Sequence, residues 1–88
     1  MNKTAIIIPV FNEEENLPIL FKNIEKINRP EFTFIFVNDG SNDNSLKILK
    51  TAEFDNYLIN HKKNLGLASA VKSGIDIAKK LDIDYVVK

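Results

Sequence analysis

Apolar residues in this chain fall alternately into continuous runs and spaced stripes, the pattern of strands and helices in succession. Ala5 to Val10 is a continuous, largely β-branched run, as a strand buried on both faces of a parallel sheet requires. Pro9, near its end, fixes the direction in which the chain leaves. Asn16 then precedes Leu17, Leu20, Phe21, Ile24 and Ile27, a stripe at helical spacing, and Pro18 falls in the first turn, where a missing N–H has no partner to lose. Asn28-Arg29-Pro30 ends that helix. Phe32 to Val37 is a second continuous run, and Asp39-Gly40-Ser41-Asn42-Asp43 is dense in turn formers. Asp43 or Asn44 is placed to cap a short second helix that turns Leu46, Leu49 and Ala52 inward and Lys47 and Lys50 outward.

Asp55 to Asn60, with Tyr57, Leu58 and Ile59, reads as a weaker third strand. Leu67, Ala70, Val71, Gly74, Ile75, Ala78 and Leu81 form the longest helical stripe. Gly66, Ala70 and Gly74 stand four apart on one side of it, small residues that let a helix lie close to a sheet. Ile83 to Val87 begins a fourth strand, which the chain leaves unfinished at Lys88. The order βαβαβαβ predicts an α/β fold, Rossmann-like and three-layered (α/β/α), with parallel strands joined by right-handed crossovers. Residues 1–88 are expected to be the amino-terminal part of a longer domain. There is no internal repeat, linker or low-complexity tract.

Composition narrows the class of partner. Twelve basic and twelve acidic side chains cancel, so no global field favours nucleic acid or an anionic surface, and partner choice must be local. The absence of cysteine removes disulfides, thiolate metal sites and a cysteine nucleophile, and fits a reducing, cytoplasmic setting. A chain of this length buries about 60–65% of its unfolded surface and sits near the limit of independent stability. Met1 to Thr4, four apolar residues and Pro9 are too short for the apolar region of a signal peptide, and no run approaches the roughly 20 residues of a membrane span.

Candidate chemistry gathers where apolar runs meet polar turns. Ligands of open α/β sheets bind outside the carboxyl ends of the strands, and three such ends carry polar loops: Pro9-Val10-Phe11-Asn12-Glu13, Asn38-Asp39-Gly40-Ser41 and Lys63-Asn64-Leu65-Gly66. A carboxylate at Asp39 can accept hydrogen bonds from a base N–H, and Gly40 beside it gives a ligand room to approach; an Asx-turn or a helix cap is the competing role for Asp39, and the more favoured one for Asp43. Asn12 and Glu13 stand where a sugar or base hydroxyl would sit. Glu14 and Glu15 read as solvated charges at a helix start. His61, Lys62 and Lys63 form a cluster at the end of the third strand, where Lys63 is the best placed for a diphosphate. Asp82-Ile83-Asp84 has the form of a metal-binding D-x-D but precedes the fourth strand, on the opposite edge of the sheet. No phosphate loop G-x-x-x-x-G-K-[ST] and no G-x-G-x-x-G is present. One His and no Cys leave little from which to build a serine triad or a zinc site.

The segments 6–17 (I-I-I-P-V-F-N-E-E-E-N-L), 36–45 (F-V-N-D-G-S-N-D-N-S) and 64–74 (N-L-G-L-A-S-A-V-K-S-G) together resemble the amino-terminal, nucleotide-binding half of a family-2 inverting glycosyltransferase of the GT-A fold type. The resemblance implies that Pro9, Phe11, Asn12 and Glu13 surround the nucleoside, that Asp39, with Gly40 and Ser41, reads the base, and that Asn64 and Gly66 shape the neighbouring loop. Many relatives carry Arg where this chain has Lys63, which keeps the charge without the planar fork. The Glu-Glu-Asn-Leu-Pro stretch at residues 14–18 is similar to that of enzymes that glycosylate polyprenyl phosphates, such as dolichyl-phosphate mannose synthases. Implied for the complete protein are a UDP- or GDP-sugar donor, a polyprenyl phosphate or saccharide acceptor, Mg²⁺ or Mn²⁺ held by ligands outside this chain, and association with the cytoplasmic membrane face. The 88 residues alone are expected to bind the nucleoside end without transferring sugar and to self-associate through an unfinished sheet edge. A non-catalytic nucleotide-binding or interaction domain is the alternative, and a phospho-receiver-like domain ranks last, because its third strand would need to end in Asp.

Overall fold

Four apolar runs become four parallel strands, and the helices between them divide the core in two. The structure is a computed structural model that describes residues 3–83 and 85–87; Asp84 of the D-x-D and Lys88 at the end of the fourth strand lie outside the described residues. In chain order the elements are β1 (Thr4–Val10), α1 (Leu17–Ile27), β2 (Phe32–Asp39), α2 (Ser45–Leu49), β3 (Asn56–His61), α3 (Leu67–Lys80) and β4 (Tyr85–Val87). The strand order is β3-β2-β1-β4. β1 runs parallel to β2 from Thr4 opposite Phe32 to Val10 opposite Asn38. β2 runs parallel to β3 from Phe34 opposite Asn56 to Asp39 opposite His61, and β4 pairs with β1 over Thr4–Ile6. Pro9, which has no N–H to donate, therefore lies in the half of β1 with a described neighbour on one side only.

Strand periodicity sorts the side chains into two cores. Ala5, Ile7, Ile35 and Val37 face α3 and meet Ala70 and Ala78. Val10, Phe34 and Phe36 face the other way and meet Leu17 and Ile24 of α1 and Leu49 of α2. The sheet is thus a middle layer with helices on both faces, the three-layer α/β arrangement the sequence predicts. Gly74 shows why α3 lies so close: a Cβ there would stand 2.5 Å from Ile7 Cγ2.

Three local expectations change. Ile27 was expected on the inward stripe of α1, but it is the last helical residue, where the chain turns away into Asn28, and it is 57% exposed. Gly66 does not belong to the close-packing series: nothing lies within 4 Å of the position its Cβ would take, and it is glycine because its φ is +99°. Neither Asp43 nor Asn44 caps α2 in the usual way. Asn44 holds the cap position without a side-chain bond to the helix, while Asp43 Oδ1 accepts the Ser45 N–H at 2.9 Å.

Candidate functional site

The loops after β1, β2 and β3 converge over the carboxyl end of the sheet, and hydrogen bonds between side chains and backbone fix how they meet. Asp39 ends β2 on the face that Ile35 and Val37 line, next to its register partner His61. Its Oδ1 accepts the Leu65 N–H at 2.9 Å and lies 2.9 Å from His61 Nδ1; its Oδ2 accepts the Gly66 N–H at 2.9 Å. Asn64 Nδ2 donates to the Asp39 carbonyl oxygen at 3.2 Å. Asp39 is 3% exposed. Burial alone would push its carboxyl up, but the hydrogen bonds from His61, Leu65 and Gly66 outweigh burial and hold it below the ordinary carboxylate value. An ionised carboxylate only accepts, so His61 Nδ1 carries the proton between them. The far ring nitrogen, Nε2, is 2.9 Å from Ser73 Oγ on α3.

The loop after β1 is tied to the loop after β2 by a second set of bonds. Asn12, with φ +53°, takes the left-handed conformation that asparagine tolerates better than most residues. Its N–H donates to Ser41 Oγ at 3.0 Å and its Oδ1 accepts the Asn42 N–H at 2.8 Å. Ser41 Oγ donates in turn to Asn38 Oδ1, and Asn38 Nδ2 donates to Asn60 Oδ1 at 2.8 Å. The Glu13 N–H donates to the fully buried Ser45 Oγ at 2.8 Å, and the Glu14 N–H to Asp43 Oδ2 at 3.3 Å. Desolvation tends to raise the Asp43 carboxyl, and the donors at Ser45 and Glu14 bring it below its ordinary value.

Between these loops lies a cleft of about 450 Å³. One wall comes from the end of β1 and the start of α1, including Pro9, Phe11, Glu13 and Leu17; the other comes from the start of α3, including Asn64, Gly66 and Leu67, with Asp39 between. α1 and α3 pack on opposite faces of the sheet, so the cleft occupies the crevice where open α/β folds take ligands.

Of the residues singled out in the sequence, the structure thus brings Pro9, Phe11, Glu13, Asp39, Asn64 and Gly66 to one cleft. Asn12 and Ser41 are spent on joining two loops. Gly40 corrects an expectation. Its φ is +69°, and the space a Cβ would fill is taken by the backbone of Lys63 and Asn64, so glycine there admits a neighbouring loop rather than a ligand. Lys63 is exposed and does not line the cleft. The cluster at the end of β3 is not uniformly solvated either: His61 is drawn inward between Asp39 and Ser73. The lone histidine thus joins an aspartate and a serine, contacts the sequence reading did not name. Strand parity could have found this contact, because Asp39 and His61 each stand two residues beyond a core residue, Val37 and Ile59, on the face that α3 covers. Glu14 also differs from a free helix-end charge, since its Oε2 accepts from Asn44 Nδ2 at 3.1 Å. Asp82, with φ +56°, is exposed just after α3.

Family-2 glycosyltransferases generally use a divalent metal. Among the described residues no three His, Cys, Asp or Glu side chains converge as a metal site, and the aspartates at the carboxyl end of the sheet, Asp39 and Asp43, are occupied by N–H donors. The described residues therefore do not fit that ion. No helix among them is long and apolar enough to cross a membrane.

Residues 5–87 match the model of the family described as Glycosyl transferase family 2. The chain is 40% identical over 80 residues to an uncharacterized protein of Methanocaldococcus jannaschii, covering 86% of this chain and 34% of that protein. It is 39% identical over 94 residues to the undecaprenyl-phosphate 4-deoxy-4-formamido-L-arabinose transferase of Proteus mirabilis, covering 99% and 28%. It is 33% identical over 82 residues to a prophage bactoprenol glucosyl transferase homolog of Escherichia coli, covering 86% and 27%. The chain spans about a third or less of the length of these relatives.

Proposed function

We propose, for a chain that belongs to glycosyl transferase family 2, that the cleft beside Asp39 holds the nucleoside end of a nucleotide-diphospho-sugar. The observation that carries this reading is the nearly buried carboxylate of Asp39, fixed by two backbone N–H groups and set between walls that are otherwise largely apolar. Apolar walls take the flat face of a base, and a carboxylate held in place by its own hydrogen bonds gives it an orientation. Pro9, Phe11 and Glu13 flank the base from one side, Asn64 and Gly66 from the other. Asn12, Gly40 and Ser41 act indirectly, by holding the loops in register, and the exposed Lys63 supplies positive charge for the diphosphate.

In the whole protein the sugar passes from a UDP or GDP leaving group, with inversion at the anomeric carbon, to a polyprenyl phosphate at the cytoplasmic membrane face. Support for that acceptor comes from relatives whose names carry undecaprenyl phosphate and bactoprenol. Mg²⁺ or Mn²⁺ belongs to ligands beyond the described residues, and what these residues supply is binding and orientation of the nucleoside. Titration of the ¹⁵N-labelled protein with UDP and with GDP tests the reading. Saturable shifts at the Phe11, Leu65, Gly66 and Leu67 amides are expected with one of the two. Dispersed spectra unmoved by either nucleotide would overturn it in favour of a non-catalytic interaction domain.

A further inference from the structure

The Asp39–His61–Ser73 chain has the connectivity of a hydrolase triad, with 2.9 Å at each link. Its surroundings do not suit that chemistry. Ser73 lies in the middle of α3, where backbone N–H groups are committed to the helix, so no pair of free donors stands ready for an oxyanion. Asp39 also has tasks a triad aspartate lacks, because it binds two consecutive N–H groups of the loop that leads into α3.

We propose that His61 is a positioning residue for base recognition, which fills one side of the Asp39 carboxylate and leaves a single acceptor position for one base N–H. The inference rests on the reading that Asp39 faces the base. A carboxylate offers about four acceptor positions. His61 Nδ1 and the Leu65 N–H fill those of Oδ1, and the Gly66 N–H fills one on Oδ2. The remaining position is on Oδ2, in a residue that lines the cleft. A lone imide N–H, as in uracil, matches one acceptor. The adjacent N1–H and N2–H₂ of guanine need two. Ser73 holds the imidazole from behind, so the ring cannot turn away from Asp39 without breaking the link to α3. His61 does not line the cleft, and both of its ring nitrogens are engaged, by Asp39 and by Ser73, so it is not a ligand contact itself.

The test compares binding of UDP, GDP and N3-methyl-UDP to the full-length protein, to His61→Leu, which removes the donor, and to His61→Asn, whose amide keeps a donor toward Asp39. UDP is expected to bind about tenfold or more tighter than N3-methyl-UDP, in line with a hydrogen bond to a charged acceptor, and tighter than GDP. In His61→Leu the preference for UDP over its methylated form shrinks to about threefold or less, and His61→Asn restores most of it. A folded His61→Leu with the full preference would overturn the positioning role. Preference for GDP would overturn the single-acceptor argument while leaving the nucleoside reading intact; indifference of the unaltered protein to all three nucleotides would remove that reading itself. Should His61→Leu not fold, ¹⁵N spectroscopy of the His61 ring decides. A protonated Nδ1 is expected, and a neutral ring protonated only at Nε2 would refute the arrangement.

Discussion

The two faces of the sheet are packed by opposite means. On the α1 and α2 face the core is built from rings: Phe54 meets Phe21, Phe34 and Phe36 with centroids 5.6, 5.5 and 6.0 Å apart, mostly edge to face. On the α3 face it is built from Ala5, Ile7, Ile35, Val37, Ala70 and Ala78, with Gly74 against Ile7. Large rings hold a helix away from the sheet and can shift against one another. Small residues bring the helix axis in and leave no room for adjustment. The site uses this difference, since the loop that binds the Asp39 carboxylate enters α3, the helix that Gly74 brings against the sheet.

The sharpest way to break that contrast is to add volume where there is none. Gly74→Val places its Cβ 2.5 Å from Ile7 Cγ2 before any methyl group is counted. It is expected to destabilise the protein by about 3 kcal/mol or more, the upper end for overpacking a core. Thermal or urea unfolding checks it. Because the push is transmitted along α3, the Leu65 and Gly66 amide resonances should move as well. A loss of stability that leaves those amides in place would show that packing and site are uncoupled.

Removing volume from the aromatic face should do less. Phe54→Leu forfeits three ring contacts while keeping an apolar side chain in a half-buried position. About 1–2 kcal/mol is expected from lost ring pairing and incomplete filling. Here the Leu65 and Gly66 amides should stay where they are. If Phe54→Leu instead cost as much as Gly74→Val, the aromatic face would be as rigid as the other and the contrast would fail.

Much of this arrangement was legible in the sequence because strand faces and helix stripes follow from period alone. The runs at Ala5–Val10 and Phe32–Val37 and the stripe from Ala70 to Ala78 correspond to the observed elements, and the smallness of Gly74 does serve close packing. What period could not show is where a stripe runs past its sheet. Ile27 and Leu67 fit their patterns, yet they stand at helix ends and are 57% and 66% exposed. Glycines were equally ambiguous one by one. Gly66 and Gly74 lie eight residues apart in one series, but the first answers to a backbone angle and the second to a neighbour. At the site, the three polar loops announced themselves as strand ends. Their division of labour did not, because whether Ser41 touches a ligand or Asn12 depends on the register between strands far apart in sequence. His61 was hidden for the same reason.

The smallest expected effect separates the two faces by their anchors. Asp39 fastens the α3 side and Asp43 the α1 and α2 side, and both carboxyls are held below their ordinary value of 3.8. A carboxyl with a lowered folded pKa contributes stability that is complete above the unfolded value and lost as pH falls through the folded one. Stability should therefore be level above pH ~5 as far as these two groups are concerned, and decline below pH ~4. The order of loss is informative. Asp39 is buried and bonded to His61 of β3 and to two N–H groups of the loop that enters α3, whereas Asp43 is half-buried and bonded to Ser45 beside it and to Glu14 of the loop after β1. In an NMR acid titration the Glu14 and Ser45 amides are expected to shift before unfolding, as a local release. The Leu65 and Gly66 amides should keep their positions until the cooperative transition, because α3 cannot give up its anchor without disturbing the packing at Gly74. Early, independent movement of Leu65 and Gly66 would mean that the tightly packed face does not hold its own loop.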